Sequence, residues 1–236
     1  MTVRLAPPRH EPRLARVAAM VADPARSRML SYLLSGEVAS AGELAACASV
    51  TPATASGHLA KLLDAGFVVC ESRGRHRYYR LADAEVAHAL EALALVAERD
   101  AHDRAWQHPA RLRLREARCC YGHLAGRLAV LLHDQLLRTG ALQAAPGGYT
   151  LTAAGRSWLQ DRGMRVPEPA RQRRFAFACL DWSERRDHLA GQLGDAIYAH
   201  FTTCGWLRRG TGRDVQLTPA GRAQLLPLLA APAAPG

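Results

Sequence analysis

Residues Thr51 to Leu81 read TPATASGHLAKLLDAGFVVCESRGRHRYYRL. Thr51 is a good N-cap, and Pro52 sits where a helix has no use for an N–H. Ala55, Leu59, Leu62 and Leu63 fall on one helical face, and Gly66 supplies the stop. The front of this helix is small or polar: Thr51, Ala53, Thr54, Ser56, Gly57 and His58, with Lys61 just beyond. Small side chains let a helix approach the floor of a DNA major groove, where hydroxyls and imidazole can bond base edges and phosphates. Phe67, Val68 and Val69 then predict a strand, ESRGRHR a turn and YYRL a return strand. That hairpin presents Arg73, Arg75, His76, Arg77 and Tyr79 as further candidate contacts to phosphates or the minor groove.

Upstream, DPARSRMLSYLLSG begins with Asp23 as N-cap and Pro24 at the first helical position. In SAGELAACA, Ser40 and Glu43 have capping-box spacing, which predicts a short helix to about Cys47. Two short capped helices joined by a tight turn make a helix-turn-helix, and the arginine hairpin behind it makes a wing.

The chain has 236 residues and a formal net charge of +10. Residues 1–100 are close to neutral, with 12 basic and 11 acidic side chains, while residues 101–236 hold 19 and 10. The excess charge therefore does not locate a DNA surface. No apolar run approaches the roughly 20 residues needed to span a bilayer. MTVRLAPPRHEPRLARV lacks the apolar stretch of a signal peptide. The expectation is a cytoplasmic protein with no membrane partner, whose six cysteines are mostly reduced.

Residues 13–99 resemble the ArsR/SmtB family of winged-helix repressors. The resemblance is carried by DPARSRMLSYL, TPATASGHLAKLLDAGFV and RGRHRYYRL. It implies a transcriptional repressor and homodimer that reads a palindromic operator in double-stranded DNA. Its pairing helices would be Leu14 to Val21 and DAEVAHALEALALVAER. Metal-sensing members carry Cys-x-Cys in the helix before the turn, where this chain reads EVASAGELA. Others carry Asp and His ligands on the last helix, where this chain has Asp83, Glu85, Val96 and Arg99, and only the first matches. Both familiar metal sites of the family are missing, so the resemblance leaves the signal open.

The second half is written twice. His123, Gly126, Leu128, Gly140 and Leu142 recur 65 residues later as His188, Gly191, Leu193, Gly205 and Leu207. Leu151, Thr152, Gly155 and Arg156 recur 66 later as Leu217, Thr218, Gly221 and Arg222. Each copy predicts a helix, a hairpin and a closing helix. The expected architecture is mainly α with β-hairpin wings. A winged helix-turn-helix spans 10–100. A C-terminal α+β domain for effector sensing or dimerisation spans 110–236, with helix–hairpin–helix units at about 119–162 and 184–229.

Within it, CCYGHLAG places Cys119 and Cys120 four and three residues before His123, workable ligand spacing on a helix. CLDWSERRDHLAG adds Cys179, Asp181 and His188. These six are candidate effector or metal ligands, for Zn(II) or As(III). A redox switch, an organic ligand near Trp182, and plain packing with no cofactor are alternative readings. Cys120 and His123 also raise a nucleophile-and-base enzyme. No phosphate loop, nucleophile elbow or paired-carboxylate signature accompanies them.

Overall fold

A computed structural model of the chain describes residues 14–73, 76–97, 109–170 and 173–230. They form two compact units. The first runs to Tyr32 and resumes over Val38–Ala82; the second takes Leu33–Glu37 and everything described from Asp83 on.

In the first unit, α1 (Leu14–Val21) and α2 (Pro24–Leu33) precede a two-residue strand β1 (Ala39–Ser40). The helix-turn-helix is α3 (Ala41–Ala48) and α4 (Pro52–Asp64), and the wing is β2 (Val68–Arg73) with β3 (His76–Leu81). Both predicted caps form. Thr51 accepts from the Thr54 N–H. The Ser40 hydroxyl accepts from the Glu43 N–H while Glu43 Oε2 accepts from the Ser40 N–H at 2.7 Å. Ser49 closes α3 at φ 58°, which frees the chain to turn into α4. Met29, Leu30, Leu44, Leu59, Leu62, Val68 and Leu81 are buried as the core. The sequence did not reveal β1, which pairs with β3 and makes the sheet three-stranded. Ser40→Ala removes the hydroxyl that caps the Glu43 N–H, leaves the backbone N–H to Glu43, and is expected to lower stability by about 1 kcal/mol in urea unfolding. No measurable change would mean that α3 is held by packing alone.

The second unit opens with α5 (Ala84–Ala97) and α6 (Pro109–Glu116). The first repeat is β4 (Arg118–Cys120), β5 (His123–Ala125), α7 (Arg127–Arg138), β6 (Leu142–Ala145), β7 (Gly148–Leu151) and α8 (Ala153–Gln160). The second is β8 (Phe177–Leu180), β9 (Asp187–Ala190), α9 (Gly191–Thr203), β10 (Leu207–Arg209), β11 (Val215–Leu217) and α10 (Pro219–Ala230). The predicted helix, hairpin and helix are present in each, and a leading hairpin precedes them.

That leading hairpin corrects one expectation. CCYGHLAG is not helical: it is two short antiparallel strands turning at Tyr121, which takes φ 59°, and Gly122. Helical spacing from Cys119 or Cys120 to His123 is therefore irrelevant. Instead Cys120 stands directly across from His123, and Cys179 directly across from His188. Cys179 is thus the counterpart of Cys120, 59 residues on, whereas the sequence offset of 65 aligned it with Leu114. Two residues separate the first pair and eight the second, which accounts for the change of offset.

The repeats interlock. Helix α7 packs on β9 of the other copy, and α9 packs on β5. The backbone repeats the exchange: Val215 N donates to Ala117 O at 3.3 Å, and its counterpart Tyr149 N donates to Ala176 O at 2.9 Å. Gly126 and Gly191, at φ 89° and 87°, start α7 and α9. A Cβ there would stand 2.7 Å from Arg115 O or Phe175 O, so each glycine permits a backbone crossing. One continuous core joins both copies, from Leu128, Leu132 and Leu136 to Leu193, Ile197 and Phe201. Among the described residues no helix is long and apolar enough to cross a membrane.

Candidate functional site

Two sets of side chains matter, one in each unit. On α4, Thr51, Ala53, Thr54, Ser56, Gly57 and Lys61 are exposed, while Ala55, Leu59 and Leu62 are buried behind them. The amphipathic pattern turns the small polar face outward. Thr51 Oγ1 and Thr54 Oγ1 lie 2.9 Å apart, and Ser56 donates its hydroxyl proton to Pro52 O at 3.1 Å. Ser56 thus offers lone pairs rather than a proton to anything approaching the face.

His58 is different. Its side chain is 16 % exposed, with Nδ1 3.3 Å from Arg26 Nη1 and 3.7 Å from Asp23 Oδ1. It ties α4 to the start of α2, where Arg26 also bonds Ala19 O and Met20 O.

In the wing, Arg77 is exposed, bonds Cys70 Sγ through Nε and lies 5.7 Å from the Tyr79 ring. Arg75 lies outside the described residues, and the side chains of Arg73 and His76 are not described. Tyr79 must be withdrawn as a DNA contact. It is 4 % exposed, because it faces inward where β3 runs between β1 and β2.

In the second unit, Cys120, His123, Cys179 and His188 are all buried, and one ligand atom from each lies within 4.8 Å of the others. The two imidazoles meet Nε2 to Nε2 at 3.1 Å. Behind them, His188 Nδ1 is 3.4 Å from Asp181 Oδ2 and His123 Nδ1 is 3.7 Å from Asp195 Oδ1. Ala125, Phe177 and Ala190 close an apolar wall around the sulfurs.

Two sequence candidates leave the set. Strand alternation turns Cys119 the other way, into the main core, where its thiol donates to Ser35 O at 3.2 Å. Asp181 stands one layer out. Its Oδ2 accepts from Gly126 N at 2.7 Å and Arg118 Nη2 at 2.9 Å, and its Oδ1 from Ser183.

Arg118 is the residue that sequence reasoning missed. Its guanidinium reaches Asp181 and, at 3.6 Å, Glu91 Oε2. Arg213 pairs with the other Glu91 oxygen. Trp182 is buried beneath that guanidinium, its ring 4.5 Å away, and so does not line an open pocket. Burial pushes the Cys119 thiol up to about 12. The Cys120 thiol is raised well above its ordinary value by its contact with Cys179 and by burial. Neither is the low-pKa thiol that a simple redox sensor needs. Burial opposes the charge on Asp181, but Arg118 and His188 outweigh it and hold the carboxyl near 2. Burial drives His188 well below its usual range.

Comparison with known proteins agrees with the first unit's elements. A helix-turn-helix domain family matches residues 21–71. The chain is 37 % identical over 213 residues to the uncharacterized HTH-type transcriptional regulator YdfF of Bacillus subtilis, spanning 89 % of this chain and 94 % of that one. It is 43 % identical over 86 residues to the HTH-type transcriptional regulator CmtR of Mycobacterium bovis, spanning 36 % of this chain and 72 % of that one. A solution structure of the homodimeric winged helix-turn-helix domain of Mb0332 from Mycobacterium bovis is 28 % identical, covers 39 % of this chain and 85 % of that one, and has a TM-score of 0.36.

Proposed function

The chain belongs to the HTH-type transcriptional regulators, of the ArsR/SmtB family, and binds DNA; from that premise we propose a homodimeric repressor whose hold on its operator is released by an effector. The carrying observation is the exposed front of α4. Its small residues leave room for a groove floor, and Thr54, Ser56 and Lys61 supply groups for bases and phosphates. Arg77, with Arg73, Arg75 and His76 on the same wing, is the phosphate or minor-groove contact. His58 acts through Asp23 and Arg26, fixing how α4 stands in its unit.

Dimerisation is supported by apolar surface on the two helices that the family resemblance names. No residue of α1 is buried, and Leu14 is 69 % exposed. On α5, Leu93 and Val96 are exposed. The second unit is the effector unit, with its buried cysteine–histidine cluster as the point of action.

The surfaces are tested on a palindromic site selected from random duplexes, with affinity measured against salt. Lys61→Ala and Arg77→Ala are each expected to weaken binding at low salt and to reduce the log–log salt slope by about 1, the release of about one phosphate counterion. Unchanged affinity and slope for both, singly and together, would remove this assignment of the DNA face.

A further inference from the structure

The cluster has more chemistry than packing requires. A buried Cys/His contact in an apolar core is ordinary when each polar atom finds a partner inside the protein. Here two imidazole nitrogens are aimed at each other across 3.1 Å, with two sulfurs beside them. The carboxylates of Asp181 and Asp195 stand behind the opposite ring nitrogens. At 3.4 and 3.7 Å these carboxylates are ion-pair neighbours of Nδ1, and a proton on Nδ1 of both rings would leave both Nε2 lone pairs facing inward. Without an ion one Nε2 donates to the other across 3.1 Å; an ion between the rings would take both lone pairs.

The dimensions fit one ion. Bond lengths of about 2.0–2.1 Å to nitrogen and about 2.3 Å to sulfur give tetrahedral edges of about 3.3 Å between nitrogens and about 3.8 Å between sulfurs. The observed 3.1 Å is close to the first, and all edges lie within 4.8 Å. Charge selects the class of ion. Two thiolates with two neutral imidazoles carry a charge of about −2, which a divalent cation cancels; a monovalent ion would leave buried charge. A trivalent metalloid that takes three sulfurs finds two here, so the mixed sulfur and nitrogen set suits a zinc-class ion better than As(III). Four protein ligands leave no open position, so the site is a closed one rather than a catalytic one.

We propose that Cys120, His123, Cys179 and His188 bind one divalent d10 cation of the zinc class, at a tetrahedral site that staples the two halves of the duplication. Each repeat supplies one cysteine and one histidine, from equivalent cross-strand positions of β4–β5 and β8–β9. On binding, each thiol loses its proton to solvent and the metal–sulfur bonds replace the S–H bonds; nothing is oxidised. Asp181 and Asp195 are positioning residues that orient the imidazoles. The inference deepens the reading of the second unit as the effector unit, and rests on it only for the regulatory consequence.

The test uses the full-length, reduced protein titrated with Co(II) and then with Zn(II) against a competing chelator. One equivalent of Co(II) should give intense tetrahedral d–d bands and thiolate charge transfer, and Zn(II) should displace it. Cys120→Ser and Cys179→Ser should each weaken Zn(II) binding at least about 100-fold and reduce the charge transfer. Asp195→Asn should weaken it about 10–100-fold while keeping the tetrahedral spectrum, because the ligands remain. Cys204→Ser is the control, since Cys204 is exposed and lies beside His200 instead; it should change nothing. Should the serine variants fail to fold, alkylation mapping of the wild-type protein decides: Zn(II) should protect Cys120 and Cys179. The proposal is overturned if the wild type gives an octahedral or thiolate-free Co(II) spectrum, or if the Cys120→Ser/Cys179→Ser double variant binds like wild type. DNA affinity of the metal-free protein is measured separately, so failure of the metal site and failure of the operator reading give different results.

Discussion

The Arg118→Ala protein is expected to lose about 3–5 kcal/mol of unfolding free energy, the cost of breaking a buried ion pair from one side. Arg118 is 0 % exposed and faces two carboxylates, Asp181 at 2.9 Å and Glu91 at 3.6 Å. Truncation leaves both in an apolar interior and uncovers the Trp182 ring on which the guanidinium lies. Glu91 keeps Arg213, and Asp181 keeps the Gly126 N–H and Ser183, so the network is weakened rather than emptied. Arg118→Lys keeps the charge but not the planar fork that serves both acids, and should recover only part of the loss. Urea unfolding checks this. A loss below about 1 kcal/mol for the alanine variant would mean that water enters and solvates the acids. Typical domains are stable by only about 5–15 kcal/mol, so the expected loss is a large share of the total.

Gly155→Ala and Gly221→Ala form the second large effect, expected at about 2–3 kcal/mol each. These glycines stand at the same place in the closing helices α8 and α10. A Cβ at Gly155 would lie 2.3 Å from Ala141 O, and one at Gly221 2.0 Å from Trp206 O. The approach cannot relax easily, because the carbonyls are pinned. Thr152 N donates to Ala141 O at 3.0 Å, and Thr218 N to Trp206 O at 3.0 Å. The same threonines cap the helices by accepting from Gly155 N and Gly221 N. Alanine is the better helix former, so a gain in stability at either position would contradict the steric argument outright. Thermal unfolding of the two single variants and the double decides it.

The winged helix was legible because its signals are local. Asp23, Ser40 and Thr51 each announce a helix within three residues, and the apolar face of α4 follows a helical period. The hairpin at Cys119 was not. His123, Leu124 and Ala125 are all buried, so the alternation that marks a half-exposed strand is absent. Its turn also uses Tyr121 at positive φ, where glycine would have been the visible sign. The pairing of Cys179 with Cys120 was masked by the longer turn before His188. Four of the six suspected ligands do converge. Glu91, Arg118 and Asp195 had no sequence signal, because they meet the site from separate elements and only the folded chain brings them near. Tyr79 was misread for a related reason: polarity suggested contact with DNA, but the three-stranded sheet turns it inward, whereas His58 keeps 16 % exposure beside Asp23 and Arg26.

The reciprocal strand exchange bears on how the molecule is made. Cys119 N donates to Arg213 O at 2.9 Å, and Val215 reaches back to Ala117, so a segment near the middle of the chain is completed by one close to its end. Ribosomes deliver these partners in order, and leading domains fold first. The unit that holds α4 is available once Ala82 has emerged, while the second unit must wait for Arg213 and Val215. A cut between the two repeats would therefore leave the unit that holds α4 whole and strip the second unit of the strand exchange that completes it.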